Sequence, residues 1–190
     1  MVIDDKSLLE RAERGLTVSA DFSTRTIYLV GEVMDEMALR FLIPFAIMDE
    51  QKGPIQIILC SGGGDESAGY AIYDAIRLAK NRVSISGYGA VQSIAALIFQ
   101  AAETRLLSPH CRFMIHNGTV DLVPDTQADA VVAIGKETER NNNTYHRLLA
   151  KRSGQTIPRV REMCRDEEYF SAKEAVSFGF ADGVIKGTKK

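Results

Sequence analysis

Two residues and one acidic run with side chains suited to acyl transfer stand out in this 190-residue sequence. Ser93 opens an apolar, alanine-rich run, where a hydroxyl would lie near unsatisfied backbone amides and the positive end of a helix dipole. His116 closes an apolar run just before Asn117-Gly118, a rim where functional side chains are commonly mounted, and a neutral imidazole can take a serine proton and return it to a leaving amine. Arg165-Asp166-Glu167-Glu168 supplies carboxylates able to orient such a histidine. Each has a plainer reading. Serine is a preferred helix cap, and spacing alone favours that role for Ser93. His116 reads equally as a structural histidine at a strand end, and the acidic run as solvated surface. His110 follows Pro109 in a loop, and His146 lies among Asn141, Asn142, Asn143 and Arg147, a neighbourhood that reads as polar and solvated. Gly62-Gly63-Gly64 could bring backbone N–H groups close to a substrate, or could simply turn the chain. It has neither phosphate-loop nor dinucleotide-loop spacing.

These groups need a frame. Thr26 to Val30 reads as a strand, and Asp35 to Gln51 as a helix with Pro44 expected to kink it. Ile55 to Leu59 is a second strand, Glu66 to Lys80 a helix, and Val83 to Ser86 a third strand ending at the small-residue turn Gly87-Tyr88-Gly89-Ala90. The helix after Ser93 is followed by strands at Thr104 to Leu107 and Arg112 to Ile115. A long helical pattern runs from Thr126 to Ser153 and reads as one projecting helix; Ser171-Ala172-Lys173-Glu174 is a capping box whose helix Gly179 ends, and Val184-Ile185 forms a last strand. Strand and helix alternate through short connections, the pattern of an α/β fold built from βαβ units.

Composition narrows the function. A net charge of -2 supplies no basic surface for nucleic acid or anionic membrane. Cys60, Cys111 and Cys164 lack disulfide or metal-ligand spacing, so no metal or cofactor is expected, and a reducing, cytoplasmic setting fits. Met1 to Arg14 reads as neither a secretory signal nor a membrane span, and no transmembrane helix is expected.

Taken in order, the segments from Arg25 to Ile185 resemble the Clp family of self-compartmentalised serine peptidases. Cys60-Ser61-Gly62-Gly63-Gly64 stands where that family carries Asn-Ser-Pro-Gly-Gly, and Ala68 to Asp74 matches the helix that follows. Gln92-Ser93-Ile94-Ala95-Ala96 stands where the family has Ala-Ser-Met-Ala-Ala, and Phe113-Met114-Ile115-His116 where it has Val-Met-Ile-His. Ser153-Gly154-Gln155 and Phe170 to Val176 complete the register.

The resemblance implies a crotonase-like spiral, with residues 25–190 as the peptidase domain and a handle helix at about 126–153 interlocking stacked heptameric rings. It implies Ser93 as nucleophile, His116 as general base, and the amides of Gly64 and Ile94 as oxyanion hole. The substrates would be short or unfolded polypeptides. The family's triad Asp falls on Glu167, or on Asp166 if the loop shifts by one residue. Residues 1–24 would supply an axial loop, although Met1 to Ser23 does not match the family's segment. Gly62 replaces the loop proline, Val120 to Pro124 alters the strand after the histidine, and Gln56 and Ile58 stand where tyrosines help dock an AAA+ unfoldase. Two other readings stay open: a catalytically weak structural subunit of such a ring, and a crotonase-like acyl-CoA hydratase or isomerase.

Overall fold

The computed structural model describes residues 19–120 and 125–187. Residues 1–18 of the expected axial-loop segment 1–24 and most of the altered strand at Val120 to Pro124 therefore lie outside the described residues. Strands β1 (Ala20–Asp21) and β2 (Thr26–Val30) lead to helix α1 (Asp35–Asp49), then β3 (Ile55–Ser61), α2 (Glu66–Arg77) and β4 (Val83–Gln92). After these come α3 (Ile94–Ala101), β5 (Thr104–Leu107), β6 (Arg112–Ile115) and the long α4 (Ala128–Ser153). The chain ends in α5 (Ile157–Arg165), β7 (Glu168–Ser171), α6 (Ala172–Ser177) and β8 (Gly183–Val184).

The strands form one mixed sheet in the order β1-β2-β3-β4-β5-β8, with β6 branching from β4 and β7 pairing β6. Strands β2 to β6 run parallel to one another where they pair, as βαβ connections require, while β1 lies antiparallel on β2 and β7 returns antiparallel on β6. Strand β4 changes partner along its length: Ser84–Gly87 pairs with β5 and Ala90–Gln92 with β6. Here the expectation of a turn at Gly87 to Ala90 is corrected. The chain continues as strand, and Gly87 is glycine because a Cβ there would meet Leu107 Cδ2 and Val91 Cγ2 at 2.7 Å.

Alternation along β3 sets the layers. Ile55, Ile57 and Leu59 are fully buried in a core that also takes Phe41, Phe45 and Met48 of α1 and Ile72 and Ile76 of α2. The other sheet face is open, with Tyr28, Val30 and Tyr88 exposed. Pro44 lies inside α1 without ending it, buried on the core side. Three elements had no counterpart in the sequence reading: the two-residue β1, α5, capped by Thr156 with a proline in its first turn, and β7. The capping box at Ser171 and Glu174 forms as expected.

Helix α4 buries only Tyr145, His146, Leu149 and Ala150, all near its C-terminal end, so its first half stands away from the body. The solvated reading of His146 is thus overturned. It is 3% exposed, because the helical period places it on the stripe of Tyr145 and Leu149 rather than with the neighbouring asparagines. Among the described residues, no helix is long and apolar enough to cross a membrane.

Candidate active site

Parallel strands present their carboxyl ends on one edge of a sheet, and loops there are free to carry chemistry. Ser93 follows the last residue of β4, His116 follows the last residue of β6, and Glu167 immediately precedes β7, whose Glu168 pairs with Ile115. Because β7 is antiparallel, its start lies beside the end of β6. Three strand ends therefore deliver three side chains to one place.

Ser93 Oγ lies 2.8 Å from His116 Nε2. The serine occupies the N-cap position of α3 but makes no side-chain capping bond, so its hydroxyl is committed to the imidazole and not to the helix. Its backbone is held in a costly conformation, φ 55° and ψ -130°, which for a residue with a Cβ needs support of about 1–3 kcal/mol from its surroundings. That support is visible. Ser93 N–H donates to Met114 O at 3.0 Å, while Ser93 O accepts from Ala96 N–H and from the Tyr145 hydroxyl, both at 2.9 Å. Tyr145 was absent from the sequence reading. Burial, followed by nearby groups including Cys164, raises its phenol well above the ordinary value, so it stays a donor.

His116 Nδ1 faces Glu167 Oε1 at 3.5 Å, an ion-pair distance but longer than a good hydrogen bond. The imidazole is mostly buried whereas the Glu167 side chain is 61% exposed. Glu167 itself adopts φ 50°. Asp166 is turned to another partner, accepting from Arg165 Nε at 3.0 Å, which outweighs its small desolvation and lowers its pKa. The structure thus brings Glu167, not Asp166, to the histidine.

The glycine run passes against the serine. A Cβ on Gly63 would stand 2.5 Å from Ser93 Cβ, and Gly63 has φ 107°, so this position admits glycine alone. Val33 N–H donates to Gly63 O at 2.8 Å and Asp65 N–H to Val33 O at 2.7 Å, which turns the intervening Gly64 N–H away from Val33. Ile94 is the first residue of α3, where backbone N–H groups have no partner within the helix. His110 sits in the turn before Cys111, apart from this constellation. His146 Nε2 is 2.9 Å from Asn117 Oδ1, so it buttresses the segment after His116. Among the described residues no cluster of histidine, cysteine or acidic side chains could hold a metal ion.

A profile described as Clp protease matches residues 10–188. The chain belongs to the Clp protease family, and with it to the serine peptidases. It is 31% identical over 173 residues to an ATP-dependent Clp protease proteolytic subunit of Chlorella vulgaris, covering 88% of this chain and 85% of that one. A proteolytic subunit 3 from Synechococcus is 32% identical over 166 residues, covering 85% and 82%. The structure of a ClpP1 mutant from Listeria monocytogenes superposes with a TM-score of 0.80 at 28% identity, covering 87% of this chain and 94% of that one. The fold is thus the crotonase-like α/β fold of that family.

Proposed function

We propose that the chain cuts unfolded or short polypeptides inside a chamber built from copies of itself, with Ser93 as nucleophile. The observation that carries this is the 2.8 Å contact between Ser93 Oγ and His116 Nε2 on a serine whose hydroxyl does not cap its helix. His116 accepts the hydroxyl proton as Oγ bonds to the scissile carbonyl carbon, then gives it to the departing amine. The oxygen charge that develops is met by the amides of Gly64 and Ile94. Water, deprotonated by the same imidazole, releases the acyl group and restores the hydroxyl. Glu167 supports the charged imidazole. A serine aimed at a histidine favours hydrolysis over the hydratase and scaffold readings.

Assembly draws support from two unpartnered surfaces. Leu39, Ile43 and Ile47 are 59%, 56% and 47% exposed and form an i, i+4, i+8 stripe on the outer side of α1. The open sheet face carries exposed Tyr28 and Val30. Two different apolar surfaces on one chain fit a head-to-tail contact, which repeats around an axis and closes into a ring. The family's rings are heptameric and stacked, and the projecting half of α4, with Val131 and Val132 exposed, suits the contact between rings. The relatives' names include ATP-dependent, so an unfoldase partner belongs to the proposal. The surface it would meet is polar at Gln56, whose amide bonds Ser84 Oγ at 2.8 Å and Ser86 Oγ at 3.1 Å. We place the protein in the cytoplasm.

The test is a fluorophosphonate probe applied to the assembled protein, with the adduct mapped by peptide mass and Ser93→Ala as control. Labelling at Ser93 is expected, and its absence in an assembled ring refutes the active-peptidase reading.

A further inference from the structure

The two helices that face the nucleophile leave it almost no room. Helix α2 lies so close to α3 that a Cβ on Gly69 would collide with Ile94 Cγ1, and this approach brings the next residue, Tyr70, over the start of α3. From α4 the buried Tyr145 reaches the same place, its hydroxyl donating to Ser93 O at 2.9 Å. The space left beside Ser93, His116 and Ile94 holds about 20 Å³, enough for about one water.

The walls of this space are tied to one another. Asn141 Nδ2 donates to Glu66 Oε2 at 3.0 Å, which links α4 to α2. Gly118 N–H donates to Asn142 Oδ1 at 2.8 Å, and a Cβ on Gly118 would collide with Glu66 Oε1, so the loop after His116 closes a third side with its backbone. Tyr145 cannot swing aside without releasing the carbonyl of the strained serine. Tyr70 packs against the hydrophobic core, and burial, then the Glu66 carboxylate, pushes its phenol up to about 12, so it stays uncharged at neutral pH.

In the proposed mechanism the carbon that bonds to Ser93 Oγ carries three other groups: an oxygen, the leaving nitrogen and the Cα of the acyl residue. The amides of Gly64 and Ile94 take the oxygen and His116 serves the nitrogen, so the side chain on that Cα falls in the space that Tyr70 and Tyr145 wall. Resting on the peptidase reading above, we infer that the chain cleaves after glycine or alanine and rejects longer residues, Tyr70 and Tyr145 setting the size limit. Glycine brings no side chain and alanine one methyl, about the size of the water it displaces. Each further carbon must displace a phenol or break one of the ties, and a close-packed wall resists that.

The experiment measures kcat/KM on the assembled wild type for fluorogenic peptides that differ only in the acyl-side residue: glycine, alanine, 2-aminobutyrate, norvaline and leucine. The unbranched series isolates size, and it needs no variant. A closed space predicts a fall with each added carbon, reaching about tenfold or more between alanine and norvaline; an apolar pocket that opens to its substrate gains with each carbon instead. Tyr70→Ala removes the wall that is not bonded to the serine, and in it the ratio of alanine to norvaline should fall to about threefold or less. Fluorophosphonate labelling of Ser93 is followed alongside. Labelling together with leucine or norvaline cleaved as well as alanine overturns the size limit and leaves the peptidase reading intact. An assembled Tyr70→Ala that keeps the full wild-type ratio also overturns it, and if that variant does not assemble the wild-type series decides. Neither labelling nor cleavage in the wild type refutes the peptidase reading, and this inference falls with it.

Discussion

Replacing Glu167 by Gln tests how strongly the third member of the constellation acts. The perturbation is small in shape, since the amide is isosteric with the carboxylate and Glu167 accepts no other bond among the described residues. Its magnitude follows from two measurements, the 3.5 Å separation from His116 Nδ1 and the 61% exposure of the side chain. Water screens such a pair, and exposed ion pairs contribute about 0.2–1 kcal/mol. Converted to rate, that is about a 1.4-fold to fivefold loss in kcat/KM. A tightly hydrogen-bonded, buried carboxylate would instead account for about ten thousandfold. The assay is hydrolysis of a fluorogenic peptide by the assembled protein at neutral pH, with the rate of fluorophosphonate labelling as a second measure of Ser93 reactivity. Both should slow in proportion. A loss of about a hundredfold or more would refute the reasoning, because no screened pair at this distance supplies that much. Unchanged kinetics in Glu167→Ala would remove the residue from the mechanism.

Three further outcomes are expected. Tyr145→Phe deletes one of the bonds holding the Ser93 carbonyl, worth about 1 kcal/mol, and should lower Tm by about 2–4 °C in calorimetry while kcat falls about fivefold. For His146, desolvation and then Arg161 lower the pKa below its ordinary 6.5, so the folded state holds the ring neutral while the unfolded chain protonates it. Stability from this site is present above about pH 6.5 and is lost as the pH falls below it, so the wild type should lose more Tm on acidification than His146→Gln. Ile43→Asp puts a charge on the exposed stripe of α1 and should shift the mass measured by light scattering to smaller species, with peptidase activity falling in parallel.

Much of the frame was legible in the sequence because apolar runs alternate with helical periods. Strand β2 and strands β5 and β6 fall on the expected residues, and Ser93 and His116 lie at the rims where the reading put them. What local context could not decide was the hydroxyl of Ser93, since capping a helix and facing a histidine require the same position. Only the histidine's placement, fixed by β6 pairing with β4, separates the two. Glycine misled at Gly87 to Ala90, where it serves close packing inside a strand and not a turn. The reading passed over β7 because Glu-Tyr-Phe-Ser has no alternation of its own; the strand exists by pairing with β6. His146 and Tyr145 share one cause. Local polarity pointed outward while the helical period of α4 pointed inward, and the period won.

The order in which the chain leaves a ribosome gives the late position of β7 a further meaning. Ser93 and His116 emerge early, yet until the residues of β7 arrive, one edge of β6 is unpaired and no strand holds Glu167 beside the imidazole. Helix α4, which holds the serine carbonyl through Tyr145, also comes after both. A hydrolase that acts on extended polypeptide is itself extended polypeptide while it is being made. Here the parts that cut are completed by the parts made last, so a truncated or half-synthesised copy carries the nucleophile without the means to use it on its neighbours.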